Sequence, residues 1–448
     1  MNRLFVIVML LRSVTAPLLA GAEAPLSPSP VRVQTESGFA LALRAALANH
    51  PAILEKRETL AAKGYAVKSA KANRLPRLSS QVGFNAIGDD NFLGGNRVSD
   101  GDRSDAFSGA FRLDQPVWAF GKIDRAITFA ELDEEVESSE LLRVERRVLR
   151  DTAVAYARIE GIRQKIEVAT LNVAKLKALY EKTSRRQQGK LASDTDLQLI
   201  NARLIQSRAS LMRFEGELGV AQTELAELTL IDVASDMPIP RSQLWVLDGS
   251  TPMMQSLTQQ ILAENAEIRY RQALIALARQ EKALQKVSAT PTITLGASHS
   301  VLGAANSGKD DTRVTLEISG ALEGLGFAAY ANTKAAGAGV MAAQRSLEQG
   351  QNAIRRDVAT LYQNRRGQEQ LSQSQAQSVA AMEQISSSYV RLYEAGRKSW
   401  LDVLNLTREL NVQELLRVEA ENNALTFTLQ LMALGRELDV IAATATDE

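Results

Sequence analysis

Gly189-Lys190-Leu191-Ala192-Ser193-Asp194-Thr195-Asp196 returns further along the chain as Gly396-Arg397-Lys398-Ser399-Trp400-Leu401-Asp402. Both stretches are a glycine followed by Ser-x-x-Asp. The pattern resembles a capping box, in which the serine oxygen accepts from an orphan N–H and the carboxylate answers at the positive end of the helix dipole. Each therefore predicts a tight turn between two helices, with the alternative that its aspartate does nothing but cap. Outward from each turn the same order recurs: a helical stretch closing on a proline (Pro76, Pro291), two alternating strands around a polar loop, and a long proline-free run. Corresponding landmarks lie about 210 residues apart, which predicts one duplicated unit. The predicted boundaries are a signal over 1–22, a first repeat over 23–231, a linker over 232–252 and a second repeat over 253–448.

The proline-free runs predict very long helices. From Gly121 to Ser184, the residues Ile123, Ile127, Val136, Val144 and Val148 keep a helical spacing, and such a rod is about 95 Å long. A rod of that length is unstable alone. Phe39–Leu75 and Ser193–Leu228 supply partners in the first repeat; Leu257–Val287, Phe327 to about Tyr393, and Ser399–Val440 serve the second. Each is read as one continuous helix.

Strands are predicted over about 78–88, 106–116, 291–301 and 312–320. Leu78, Val82 and Phe84 alternate with Ser79, Gln81 and Gly83; Val314, Leu316 and Ile318 alternate with Arg313, Thr315 and Glu317. Each strand is long enough to cross a bilayer when tilted. Four strands cannot close a barrel, for which about eight are the minimum, so strands that meet lipid imply oligomerisation; three copies give twelve. A soluble antiparallel sheet shows the same alternation and is the alternative. His299 reads as interfacial. The loop Asp100-Gly101-Asp102-Arg103-Ser104-Asp105 lacks calcium-hand spacing and reads as solvated.

Composition narrows the chemistry. The 448 residues carry 52 basic and 52 acidic side chains, so no net charge points to nucleic acid, and the 5% aromatic content suits long helices. No cysteine is present, which excludes disulfides, thiolate metal sites, cysteine nucleophiles and lipid attachment to an N-terminal cysteine. With only His50 and His299, most zinc and histidine-based catalytic sets are missing as well. No cofactor is implied. Arg3, the apolar Leu4–Leu11 and Ala20-Gly21-Ala22 read as a secretory signal, although Arg12 interrupts the run. About eight apolar residues are too few for an uncleaved membrane anchor.

The chain resembles the TolC family of outer-membrane channel-tunnel proteins. The resemblance rests on Ala46-Leu47-Ala48-Asn49-His50-Pro51, Leu113-Asp114-Gln115-Pro116 leading to Phe120-Gly121, and Tyr393-Glu394-Ala395-Gly396-Arg397-Lys398 leading to Asp402-Val403-Leu404-Asn405. It implies a mainly α fold with a β-barrel part: a homotrimer whose twelve-stranded barrel lies in outer-membrane lipid and continues into a periplasmic α-helical barrel. It also implies a pore entrance at the last interhelical turn, with Tyr393 and Lys398 as restraints and Asp402 in a ring of carboxylates. Asn405 stands where the family has a second aspartate, which halves the charge of that ring. Gly189, Lys190, Gly396 and Arg397 become the docking turns. One extra residue between Gly189 and Asp196 sets the first turn apart from the second.

The function implied is a passive exit duct that docks a periplasmic adaptor and an inner-membrane ABC or proton-driven transporter. Type I protein secretion is favoured over multidrug efflux because no cysteine is available for lipidation. A soluble periplasmic coiled-coil scaffold is the alternative from a different class. An enzyme is disfavoured, since no nucleophile, phosphate loop or metal cluster converges in the sequence.

Overall fold

The computed structural model describes residues 38–85, 106–231, 238–240, 244, 254–303 and 309–444. All belong to the unit Ser37–Glu448. The signal stretch, the polar loop 87–105 with its calcium-like run, and most of the linker lie outside the described residues.

The element order is α1 (Gly38–Asn49), α2 (Pro51–Ala72), β1 (Arg77–Asn85), β2 (Ala106–Trp118), α3 (Lys122–Gln188) and α4 (Asp194–Thr229). It continues with α5 (Met254–Glu264), α6 (Ala266–Val287), β3 (Thr292–Gly303), β4 (Lys309–Ser319), α7 (Phe327–Glu394), α8 (Trp400–Leu434) and α9 (Glu437–Thr444). No helix is long and apolar enough to cross a membrane among the described residues.

Helices α3 and α7, of 67 and 68 residues, are rods of about 100 Å. Shorter helices line them in series: α2 and α6 flank α3 in its strand-proximal half, α4 and α8 in its turn-proximal half, and α6 and α8 in turn cover one flank of α7. The result is a single wall of helices with two open edges. Leu54 and Tyr65 on α2 and Ile205, Met212 and Val220 on α4 are exposed at one edge; Tyr330, Met341, Leu371 and Ile385 on α7 are exposed as well.

Three stretches that the apolar spacing reads as continuous are each broken in two. His50 stops α1, and its Nδ1 accepts from the N–H of Ala52 at 3.2 Å, so that Pro51, which has no N–H to donate, opens α2. Asn265 breaks the matching stretch, its Oδ1 accepting from the N–H groups of Glu267 and Ile268. Gly435 separates α8 from α9. These breaks let short helices fold back on the rods and build a waist. There Phe39, Leu43, Leu149, Tyr156, Ile159, Leu225, Leu425 and Leu438 form the largest core, with Phe39 edge-on to Tyr156 at 5.4 Å. Ile239 and Leu244, inside the predicted linker, are buried in the same core, and the Ile239 N–H donates to Glu160 Oε2 at 3.0 Å.

Charge sets how α2 lies on α3. Lys56, Arg57, Lys63 and Lys71 on α2 and Arg74 just past its end reach Glu137, Glu145, Asp133, Glu131 and Asp124 on α3 at 2.6–3.5 Å. Each exposed pair contributes little, but a slipped register would miss all five.

The sheet has the order β1-β2-β3-β4 and is antiparallel throughout. Strands β2 and β4 run longer than the alternation indicates, to Trp118 and from Lys309, because charged and irregular residues there keep the ladder while breaking the apolar pattern. The register places Leu78, Leu113, Ala297 and Val314 in one row across the sheet, with Phe111, His299, Leu295, Leu316 and Ile318 on the same face. This face is bare: Leu78, Val82, Val314, Leu316 and Ile318 are 68–72% exposed. His299 lies on it, its Nδ1 2.9 Å from Thr312 Oγ1. On the opposite face Arg112 Nε donates to both oxygens of Asp114 at 2.9 and 3.0 Å, and Arg112 Nη2 reaches Glu317 Oε2 at 3.3 Å across β3. Gly296 keeps that crossing clear, since a Cβ there would lie 2.7 Å from Thr315 Oγ1 and 3.1 Å from Asp114 Oδ1.

Below the waist core, Arg146 is buried, donating through Nε to Asp439 at 2.9 Å and through Nη1 to the carbonyl of Glu264 at 2.5 Å. Arg146→Ala strands a half-buried carboxylate and a carbonyl; it should destabilise the protein by about 2 kcal/mol, read as a lower thermal unfolding midpoint by circular dichroism. Burial raises the carboxyl pKa values of Glu145, Glu437 and Asp439, with the Arg57 contact opposing it at Glu145 and Arg146 opposing it at Asp439. Folded-state values above the unfolded ones mean that the native state holds more protons, so this contribution is present at low pH and lost as pH rises through the raised values. The midpoint should therefore gain as pH falls through the raised values towards the ordinary carboxylate range, and Glu437→Gln should reduce that gain; an unchanged pH profile in the variant contradicts the assignment.

Candidate functional site

The two return turns have the same hydrogen-bond skeleton. In the first, Ser193 Oγ accepts from the N–H of Asp196 at 3.0 Å and Asp196 Oδ2 accepts from the N–H of Ser193 at 3.2 Å. In the second, Ser399 and Asp402 exchange the same bonds at 3.2 and 3.3 Å. Both are complete capping boxes. One oxygen of Asp402 is thus engaged in its own helix start, and Asn405 is exposed one turn further along α8.

The helix ends before these boxes match residue for residue, but not as the glycines suggest. In the second turn Gly396 takes the left-handed conformation at φ +70°, and Arg397 N–H donates back to the Leu392 carbonyl. In the first turn the left-handed residue is Lys190, at φ +59°, and Leu191 N–H donates back to Arg186; Gly189 has an ordinary φ of −79°. Lys190 is therefore the counterpart of Gly396, the spacing to the two capping aspartates is the same, and the extra residue inferred from aligning the glycines does not exist. A lysine in this conformation carries strain of about 1 kcal/mol that glycine would not.

A shared apolar cluster holds the two turns together. Leu176, Ile200, Leu204, Trp400, Val403 and Leu404 are buried, with Tyr180, Leu197, Tyr389, Val390 and Tyr393 packed around them. Tyr393 stacks at a tilt on Trp400 with ring centroids 4.8 Å apart, and the Arg186 guanidinium lies 4.9 Å from the Tyr393 ring. Arg186 ends α3 and Tyr393 ends α7, so this cation–π contact bridges the turns. Burial raises the Tyr393 phenol pKa; the Arg186 charge opposes the shift and that of Asp196 adds to it. Lys398 places Nζ 4.6 Å over the Tyr389 ring. The Trp400 Nε1 and Arg186 Nε are buried without a hydrogen-bond partner.

Of the predicted site residues, Tyr393, Lys398 and Asp402 lie at this junction, half-buried, whereas Gly189, Lys190, Gly396 and Arg397 are exposed at the tips. Leu191 and Leu401 stand beside those tips, 71% and 52% exposed. Arg186 and Trp400 are the residues that sequence reasoning missed. The signal available was position alone: one basic residue a turn before Lys190, and one aromatic inside the second capping box. Just above the turns, Lys175, Lys182, Glu383, Ser386, Asn411 and Glu414 line an open groove of about 520 Å³ between α3, α7 and α8, where Lys175 pairs with Glu414. No metal-binding cluster occurs among the described residues.

The sequence matches the family described as outer membrane efflux protein over residues 42–229 and 257–435. No curated protein matches the chain. Among solved structures, the outer-membrane channel OprN superposes with a TM-score of 0.74 at 17% identity, covering 89% of each chain. The outer membrane protein VceC from Vibrio cholerae gives 0.70 at 17% identity, over 89% of this chain and 96% of that one. The open-state MtrE outer membrane channel of Neisseria gonorrhoeae gives 0.70 at 14% identity, over 89% of each. Since the family match spans the long helices, the strands and both return turns, the chain belongs to the outer membrane efflux protein family, the TolC-type channels of the outer membrane with a periplasmic helical part.

Proposed function

We propose that this protein is the passive exit duct of a tripartite export system. Three copies close twelve strands into a barrel in the outer membrane, and their helical walls join edge to edge into a tunnel. The observation that carries the reading is the bare apolar face of the four-stranded sheet, 68–72% exposed at five large residues, backed by a charged face that one chain cannot enclose. A soluble scaffold would leave that apolar face in water without a partner. The duplicated order of elements over 38–229 and 254–434 supports two repeats per chain, so that the three-fold assembly has walls of six similar units.

The return turns form the periplasmic entrance. Arg186, Tyr393 and Trp400 hold the turns of one chain together, Asp402 adds a carboxylate at the pore, and Asn405 contributes no charge beside it. A periplasmic adaptor docks on the exposed tips at Gly189, Lys190, Gly396 and Arg397, with Leu191 and Leu401 as apolar contacts. Docking favours the open entrance by binding that state better, and an inner-membrane transporter supplies the energy. Type I protein secretion is the leading cargo reading, on the absence of cysteine for a lipid anchor. Small-molecule efflux is the second, favoured by the match to the family described as outer membrane efflux protein. Export of a passenger protein against retention of a dye, in cells lacking their own duct, separates the two.

Two outcomes test the duct itself. The species extracted from outer membranes in mild detergent should have the protein mass of a trimer by light scattering; a monomer that stays soluble without detergent would remove the channel. In planar bilayers, Tyr393→Ala, Arg186→Ala and Asp402→Ala should each raise single-channel conductance, about two-fold or more for the first two. Unchanged conductance in all three means that the entrance lies elsewhere.

A further inference from the structure

The two return turns share a backbone but not a local charge. Over 168–214 the first repeat carries nine Lys and Arg against three Asp and Glu, whereas 374–420, the same stretch of the second repeat when Lys190 is matched to Gly396, carries five against six. The whole chain is balanced at 52 and 52, so the first hairpin concentrates positive charge instead of sharing in a general excess. A cleft lined by charge of one sign raises the local concentration of the opposite one.

Such a cleft lies within this stretch. Helices α4 and α8 both pack on α3 but scarcely on each other, and the space between them over α3 is a groove of about 290 Å³. We infer that this groove binds an amphiphilic organic anion, a sulfonate, carboxylate or phosphate carried on a compact apolar body. The inference goes beyond the duct and does not rest on it, because one chain builds the whole groove.

The lining has the two parts that such a molecule needs. Leu176, Phe214 and Leu404 are buried beneath it, and Val412 and Leu415 extend the apolar surface. Arg203 and Arg213 enter from α4 and Arg408 from α8, and no acidic side chain lines the groove. Arg203 Nη1 donates to Gln206 Oε1 at 3.0 Å, which steadies the guanidinium without neutralising it. The Arg213 guanidinium lies 4.6 Å from the Phe214 ring and reaches Glu217, outside the lining, at 3.2 Å. Arg408 has no hydrogen-bond or ion-pair partner among the described residues.

Other cavities of the wall match their charges internally. At the waist Arg143, Arg146 and Arg150 line one cavity, but they are paired with Glu267, Asp439 and Asp151. In the larger groove between α3, α7 and α8, Lys175 is paired with Glu414. Between α4 and α8 no lining carboxylate answers the three arginines, and an oxyanion from outside completes the set. Guanidinium groups hold oxyanions through two parallel hydrogen bonds and also stack on flat rings. A cation of the same shape gains the apolar contact and meets repulsion.

The probe is naphthalene-1-sulfonate, titrated calorimetrically into the full chain in phosphatidylcholine nanodiscs with empty discs subtracted; 1-naphthylmethylammonium is its cationic match. The sulfonate should bind once per chain, and the ammonium about ten-fold more weakly or less still. Arg203→Gln and Arg408→Gln should each weaken the sulfonate about ten-fold, while Arg208→Gln, on α4 but outside the groove, should change it less than about two-fold. Equal affinity for the two probes would reduce the groove to a plain apolar surface, and an equal loss in R208Q would reduce it to a diffuse field; either overturns the site, as does no binding of the sulfonate. The comparison of the two probes uses the unaltered protein, so a misfolded variant does not obscure the answer. A protein that is monomeric by light scattering yet binds the sulfonate keeps the site and loses the duct, and a trimer that does not bind it keeps the duct and loses the site.

Discussion

An apolar sheet face that no described residue of its own chain covers governs this protein. Large side chains on one face of β1 to β4 would expose several hundred Å² to water in an isolated chain, an arrangement that soluble monomers avoid. Lipid removes that cost only if the backbone at both sheet edges is also satisfied, because an unpaired strand edge is not tolerated in hydrocarbon. In the proposed barrel, closure with other copies meets both demands at once. The helical wall has the same incompleteness one level up, since α7 is covered on one flank alone and α2 and α4 present apolar residues at the far edge.

Much of this was legible in the sequence because two periods dominate it. Proline-free runs with helical apolar spacing marked α3 and α7 nearly to their ends, and strict alternation marked the strand cores. What periodicity could not show were features that depend on a single side chain. The breaks at His50 and Asn265 leave the apolar spacing almost undisturbed on either side, and only the hydrogen bonds from their side chains make them helix starts. The extra length of β4 lies in Lys309–Asp311, where polar residues keep the ladder but hide the pattern. Ile239 and Leu244 sit among prolines, which masked their role in the waist core.

The turns show where a sequence signal misleads. Glycine was the natural marker for the left-handed residue, yet in the first turn that position belongs to Lys190 and Gly189 lies one residue before it. Superposed by backbone instead of by glycine, the halves align, and their differences become informative. Gln187 corresponds to Tyr393 and Leu392 to Arg186, so the cation–π bridge uses one partner from each half at positions where the other half has neither. Duplication supplied two identical turns; divergence made them complementary. The capping bond of Asp402 is the one that Ser399-x-x-Asp402 marks in the sequence.

The charge ladder between α2 and α3 bears on how the chain folds. Apolar contacts act only at close range, while charges attract over roughly a Debye length of 8–10 Å. The bases of α2 that face α3 and the acids of α3 that face them therefore begin to align before their side chains touch. The two are separated in the chain by just the β1–β2 segment, which makes this an early and local docking event. It would fix the direction and register of the first strand pair while the protein is still a single chain in water, before any bilayer or second copy is present to receive the sheet.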